Sequence, residues 1–162
     1  FLTFSLSGEM FGVGILTVKE IIEYGEVTEI PMVPAFICGV INLRGAVVPV
    51  IDLAARFGNT PTIPSRRTCI IILEIRHEDS TQTLGVLVDS VSAVLDIPTS
   101  EIEPPPAFGA RIRADFIVGM GKVDGHFVIL LDIERVLSVD EIATLASLGE
   151  SDTSEAVSAS LN

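Results

Sequence analysis

The feature that most constrains the fold of this chain is that it matches itself. The stretch Phe36–Leu53 (FICGVINLRGAVVPVIDL) aligns without a gap on Phe116–Ile133 (FIVGMGKVDGHFVILLDI). Phe36, Ile37, Gly39, Gly45, Val48 and Asp52 recur as Phe116, Ile117, Gly119, Gly125, Val128 and Asp132. Upstream, Gly12-Val13 matches Gly85-Val86, and Val18, Ile21 and Ile22 match Val91, Val94 and Leu95. Glu29-Ile30 and Pro34-Ala35-Phe36 match Glu101-Ile102 and Pro106-Ala107-Phe108, which leaves extra residues in the second copy around Gly109–Asp115. Paired glycines and a paired Asp in one register argue for duplication over chance similarity between apolar strands.

Each copy reads as β-structure. Period-2 patterns and short apolar runs are separated by Gly, Pro and Asp turns. Strands are expected at Leu2–Leu6, Met10–Ile15, Gly39–Leu43, Val47–Ile51, Thr68–Ile75, Thr83–Val88, Ala93–Ile97, Phe116–Gly121 and Phe127–Leu131. Val18–Tyr24 fits a helical turn or a strand. Asp52–Phe57 and Ile133–Leu137 suit short helices. Ser138–Leu148 reads as a helix, with Ser138 as N-cap, Asp140 and Glu141 at its positive end and Gly149 as its stop. The expected fold is all-β: two tandem SH3-like or OB-like five-stranded barrels packed together, with short helices and a C-terminal helix. The copies divide the chain into a first barrel repeat over 1–66, a second over 67–137, the helix over 138–148 and an acidic flexible tail over 149–162. A unit this small buries little surface alone, so the two should share a core and leave a groove between them. Exchange of chain between the barrels is not legible at this level.

Composition excludes several functions. A net charge of −12, one Tyr and no Trp suit neither phosphate backbones nor base stacking, so an OB-like nucleic-acid module ranks low. The longest apolar runs, such as Cys69–Leu73 and Phe127–Leu131, fall far short of the ~20 residues of a membrane span, so no direct membrane insertion is expected. The chain opens on Phe1 in a strand-like pattern, with no secretory signal and no initiating Met, which suggests trimming. Cys38 and Cys69 lie in apolar strands and read as reduced, buried thiols, in keeping with a cytoplasmic setting.

Catalytic machinery is not legible. His77 falls in a hairpin turn and His126 follows the turn glycine Gly125; no HExxH, CxxC or GxSxG occurs. Gly119-Met120-Gly121-Lys122 lacks the Ser/Thr and helix of a phosphate loop. A carboxylate pair of Asp52 and Asp132 would suit acid–base work, yet their equivalent places argue for a repeated cap on the turn that follows. Pro104-Pro105-Pro106 reads as a stiff connector. No catalytic residue, metal site or cofactor is expected.

What remains is a binding surface. Asn42 and Gly45 suit a tight turn, and Arg44 is one of only ten basic residues. Arg44 has two readings of equal weight: an internal ion pair with a nearby carboxylate, or a bidentate contact to an acidic partner. Val18-Lys19-Glu20-Ile21-Ile22 carries more apolar surface than a turn needs, either as core or as the wall of a groove for an amphipathic helix.

These segments resemble the chemotaxis coupling (CheW) family. The resemblance lies in Val18-Lys19-Glu20-Ile21, Pro34-Ala35-Phe36-Ile37, Gly39-Val40-Ile41-Asn42-Leu43-Arg44-Gly45, Val48-Pro49-Val50-Ile51-Asp52-Leu53 and Leu84-Gly85-Val86-Leu87-Val88-Asp89. It runs from about residue 1 to residue 148. It implies two SH3-like barrels and a non-enzymatic scaffold. The implied partners are the cytoplasmic tip of chemoreceptors, a helical hairpin lying in the inter-barrel groove, and the regulatory domain of the CheA histidine kinase. Recruitment to membrane-bound receptor arrays follows. Val18, Glu20, Ile21, Asn42 and Arg44 match positions near that surface, and Val94, the repeat mate of Ile21, joins them. The motifs also suit a CheW-like domain cut from a larger CheV-type or kinase protein; a tail without receiver or kinase segment favours the stand-alone protein.

Overall fold

The computed structural model describes residues 1–77, 79–105 and 114–138. The expected C-terminal helix, the tail and most of the extra segment of the second copy lie outside the described residues.

The described residues form eleven strands: β1 Leu2–Leu6, β2 Glu9–Val13, β3 Val18–Glu23, β4 Ile37–Leu43, β5 Ala46–Asp52, β6 Cys69–His77, β7 Ser80–Val88, β8 Ser90–Val94, β9 Ile102–Glu103, β10 Ile117–Val123 and β11 His126–Leu131. Two one-turn helices, α1 Leu53–Arg56 and α2 Ile133–Val136, follow β5 and β11. Within Val18–Tyr24, Val18–Glu23 resolves as strand: its residues alternate half-buried and exposed, and its edge pairs antiparallel with β6. Ile97 lies beyond β8, and β9 was not foreseen.

The strands make two sheets of matching order, β8-β1-β2-β11-β10-β9 and β3-β6-β7-β5-β4. Equivalent pairs share their registers. Leu130 lies opposite Gly12 in the parallel pair β11–β2, as Val50 lies opposite Gly85 in β5–β7. Both sheets are drawn round into barrels. After β3 the chain returns along β4, where Thr28 and Val40 exchange two 2.9 Å backbone hydrogen bonds; after β8 it returns as β9 along β10.

The sheets do not follow the halves of the sequence. The five-stranded barrel is one continuous stretch, from Val18 to Val88. The six-stranded barrel combines the N-terminal hairpin β1–β2 with β8–β11. Each barrel therefore holds the first hairpin of one repeat and the remaining strands of the other, so a division at residue 66 separates repeats and not sheets. The chain crosses between barrels at Gly14–Thr17 and at Asp89. There Asp89 N donates to Ser5 O at 3.1 Å and Asp89 Oδ2 accepts from Ser7 N at 2.9 Å. The structure also corrects the alignment upstream of Pro34. Thr28 opposes Val40 and Glu103 opposes Met120, so Thr28 and Glu103 are equivalent, a few residues away from the match of Glu29-Ile30 to Glu101-Ile102. The connector between β3 and β4 carries no long apolar pattern, so sequence offered nothing to fix its register.

Packing explains the apolar runs. Along β6, Ile70 and Ile72 fill the inside of the five-stranded barrel, while Ile71, Leu73 and Ile75 face the core shared by both barrels. A strand buried on both faces reads as continuously hydrophobic. Phe4, Phe11, Phe57 and Phe116 run through the shared core with successive ring centroids 5.9, 5.6 and 6.1 Å apart. Arg56 sits beside them, with its guanidinium carbon 5.1 Å from the ring centres of both Phe36 and Phe116, which are repeat mates. Its Nε donates to Val136 O at 2.9 Å. One cation thus joins the two copies through both rings and a carbonyl.

Candidate binding surface

The β4–β5 turn is a two-residue hairpin. Leu43 opposes Ala46, and the turn residues Arg44 (φ 50) and Gly45 (φ 88) are left-handed. Such a turn matches the twist of the flanking strands and demands positive φ at both positions. Asn42 Oδ1 accepts from Gly45 N at 2.8 Å and closes it.

Held by this geometry, the Arg44 side chain reaches Glu20 on β3 and makes a two-pronged ion pair. Nη1 donates to Oε1 at 3.2 Å and Nη2 to Oε2 at closer range. The hydrogen bond from Arg44, chiefly, lowers the Glu20 carboxyl below its ordinary range, and Glu20 in turn raises Arg44. The pair exists above the usual carboxylate range and is lost as pH falls through the lowered Glu20 value. Both groups face solvent, so the pair is open to salt and to a competing partner. The internal-pair reading of Arg44 is therefore realised, with Glu20 as the carboxylate.

The apolar candidates occupy two strands. Ile21, 42% exposed, pairs with Ile71, and Val94, 62% exposed, pairs with Leu2. Ile71 and Leu2 belong to the shared core, so Ile21 and Val94 stand on the faces that look toward the join between barrels. Val18 pairs with Leu73 and packs partly against that core, so it is half a core residue. The structure thus joins Glu20 to Arg44 and sets Asn42 in the same turn; Val94 lies in the other sheet. Sequence reasoning passed over Ile15 and Leu16, in the 3-10 turn before β3, where Leu16 is 98% exposed. Ile15 read as the end of a strand, although Gly14 already stood at its limit.

Asp52 and Asp132 are N-caps, as their repeat positions suggested. Asp52 Oδ1 accepts from Ala54 N at 3.1 Å, and Asp132 Oδ1 accepts from Arg135 N at 3.3 Å. Among the described residues no group of His, Cys, Asp and Glu is placed to hold a metal ion, and no helix is long and apolar enough to cross a membrane. Cys38 and Cys69 are free thiols, half-buried rather than fully enclosed. Burial, then the charge of Asp52, pushes the Cys38 thiol up to about 12. Cys38 is accordingly expected to react with iodoacetamide at pH 8 several hundred-fold or more slowly than a free thiol of ordinary pKa, about 8.5. Mass spectrometry of a timed alkylation reads this directly, and comparable rates would contradict it.

Comparison with known proteins places the geometry in context. The family model described as the CheW-like domain matches residues 1–141. The chain is 37% identical over 151 residues to the chemotaxis protein CheW of Klebsiella aerogenes, covering 93% of this chain and 89% of that protein. It is 36% identical over 140 residues to a probable chemotaxis protein CheW of Rhizobium etli, covering 86% and 88%. Among solved structures, the scaffolding protein TtCheW from Thermoanaerobacter tengcongensis superposes with a TM-score of 0.75 and 38% identity, covering 83% of this chain and 84% of that one.

Proposed function

Because the chain belongs to the family of CheW-like domains, we propose that it is a chemotaxis coupling scaffold that joins chemoreceptors to the CheA histidine kinase. The observation that carries this reading is the extent of the match, which spans both barrels and not one motif. The role is non-catalytic: partners are held, and no bond is made or broken. The protein works in the cytoplasm and is recruited to membrane-bound receptor arrays. The receptor tip, an antiparallel helical hairpin, sets its apolar face against Ile21 and Val18, with Val94 as a further contact, and Asn42, Arg44 and Glu20 supply polar contacts. An amphipathic helix in an apolar groove is a recurrent mode of recognition.

Co-sedimentation with a receptor cytoplasmic fragment and with CheA tests this. Ile21→Ala should weaken receptor binding by about 2 kcal/mol if Ile21 is a desolvated anchor, with unchanged melting, since its side chain is already 42% exposed. Arg44→Glu should weaken coupling to receptor or kinase. The swap Glu20→Arg with Arg44→Glu rebuilds the ion pair with reversed polarity. Melting restored without binding assigns the pair to the interface. Binding restored together with melting assigns it to the fold. Full binding in all variants removes this surface from the reading.

A further inference from the structure

We propose that a cleft beside β4 binds a small organic cation, a primary ammonium on an apolar stem, with the buried carboxylate of Asp52 as its counter-charge. The cleft has a volume of about 390 Å³ and lies between the connector that follows β3 and the barrel wall. Val27, Val33, Leu87 and the ring of Tyr24 give it apolar walls, Thr62 adds a neutral polar group, and the charged residues that line it, Glu29 and Asp52, are both acidic. Val18, Ile21, Asn42 and Arg44 form no part of it, so the site is separate from the proposed receptor surface.

The volume is that of a small-molecule site, and the lining combines apolar walls with placed polar groups. The charge identifies the ligand. Asp52 is 4% exposed and accepts four hydrogen bonds, from Ala54 N, Ala55 N and Thr62 Oγ1 on Oδ1, and from Thr62 N on Oδ2. All four donors are neutral. A carboxylate has about four lone-pair sites, two on each oxygen, so Oδ2 has room for another donor. Its repeat mate Asp132 caps α2 in the same way and also pairs with Arg135, whose Nε lies 3.5 Å from Oδ2. Arg135 has no counterpart in the first copy, where Ala55 follows Asp52 at the same spacing. Asp52 has neutral donors only, and an ammonium entering the acidic cleft adds the cation that Arg135 supplies to Asp132. Glu29 adds the same sign of charge, so an anion is repelled. An aryl or alkyl stem on the ammonium matches the Val27, Val33 and Tyr24 walls.

Phenethylammonium is the probe, with phenylethanol and phenylacetate as neutral and anionic counterparts of the same stem. Titration into the full chain, followed by amide NMR, should give saturable shifts at Val27, Val33 and Cys38 with phenethylammonium alone. Asp52→Asn keeps a capping oxygen and removes the charge, and should weaken binding about ten-fold or more, as expected for a lost charge-assisted contact. Should that variant fail to fold, Ala35→Trp, at an exposed rim position, should block binding with Asp52 intact. Equal shifts from phenylethanol, or unchanged affinity in folded Asp52→Asn, overturn the cation assignment. Undiminished binding in Ala35→Trp, or no saturable shift in the wild type, overturns the site.

Discussion

Deleting residues 1–13 is expected to unfold the six-stranded barrel, including strands β8, β10 and β11 from the far end of the chain, while the strands from Val18 to Val88 keep their slowest-exchanging amides. The hairpin β1–β2 lies in the middle of that sheet, with β8 on one side and β11 on the other. It contributes Leu2, Phe4, Leu6, Phe11 and Val13 to the shared core, each at most 2% exposed. At ~1.5–3 kcal/mol for each buried side chain, the loss is comparable to the ~5–15 kcal/mol that stabilises a whole domain. The five-stranded barrel loses one wall of the shared core and keeps its own interior of Ile41, Val48, Val50, Ile70, Ile72 and Leu87. Hydrogen exchange resolved by strand distinguishes the outcomes. Protected amides across 117–131 in the deleted protein would show that the second half of the sequence folds without the hairpin, contrary to the sheet order seen here.

Gly39→Ala should cost roughly 2–6 kcal/mol, combining the strain of a forbidden backbone conformation with overpacking. Gly39 has φ 149, a region nearly closed to L side chains, and a Cβ there would fall 2.0 Å from Thr28 O. Thr28 closes the barrel onto β4 through Val40, so the clash falls on the seam of the ring. A thermal melt should drop by roughly 5 °C or more at ~2–4 °C per kcal/mol for a chain of this size. Gly119→Ala makes the paired test in the other barrel, where a Cβ would meet Glu103 O at 2.8 Å and Ile102 Cγ2 at 2.6 Å. It should destabilise too, and less, because no positive φ is involved there. A melt of Gly39→Ala within a degree of wild type would mean that the Thr28 connector moves aside freely, and that the seam adds little to stability.

The elements and their duplication are legible in the sequence. Alternation, turn glycines and the paired Asp are local signals, and β1, β4, β5, β10 and β11 stand within a few residues of where those signals place them. The Asp caps were legible for the same reason: a side chain two or three residues from the amides it accepts needs no tertiary partner. Of the candidate surface, the tight turn at Asn42–Gly45 was legible. The ion pair of Arg44 was foreseen only as one alternative, because its partner Glu20 lies on a strand that adjoins neither β4 nor β5 in the sheet order.

Tertiary structure alone decided which hairpin enters which barrel. The hairpins β1–β2 and β6–β7 hold equivalent places in the two sheets and meet β11 and β5 in matching parallel registers, so local patterns do not distinguish which hairpin joins which strands. The crossings break the tie. Asp89 is the single residue between β7 and β8, too short a link to fold β8 back beside β7, and it is tied to Ser5 of β1 and to Ser7 in the turn after β1, in the other sheet. The place of Arg56 between Phe36 and Phe116 has the same origin. A cation chooses two rings far apart in the chain only once the barrels have brought those rings to its sides.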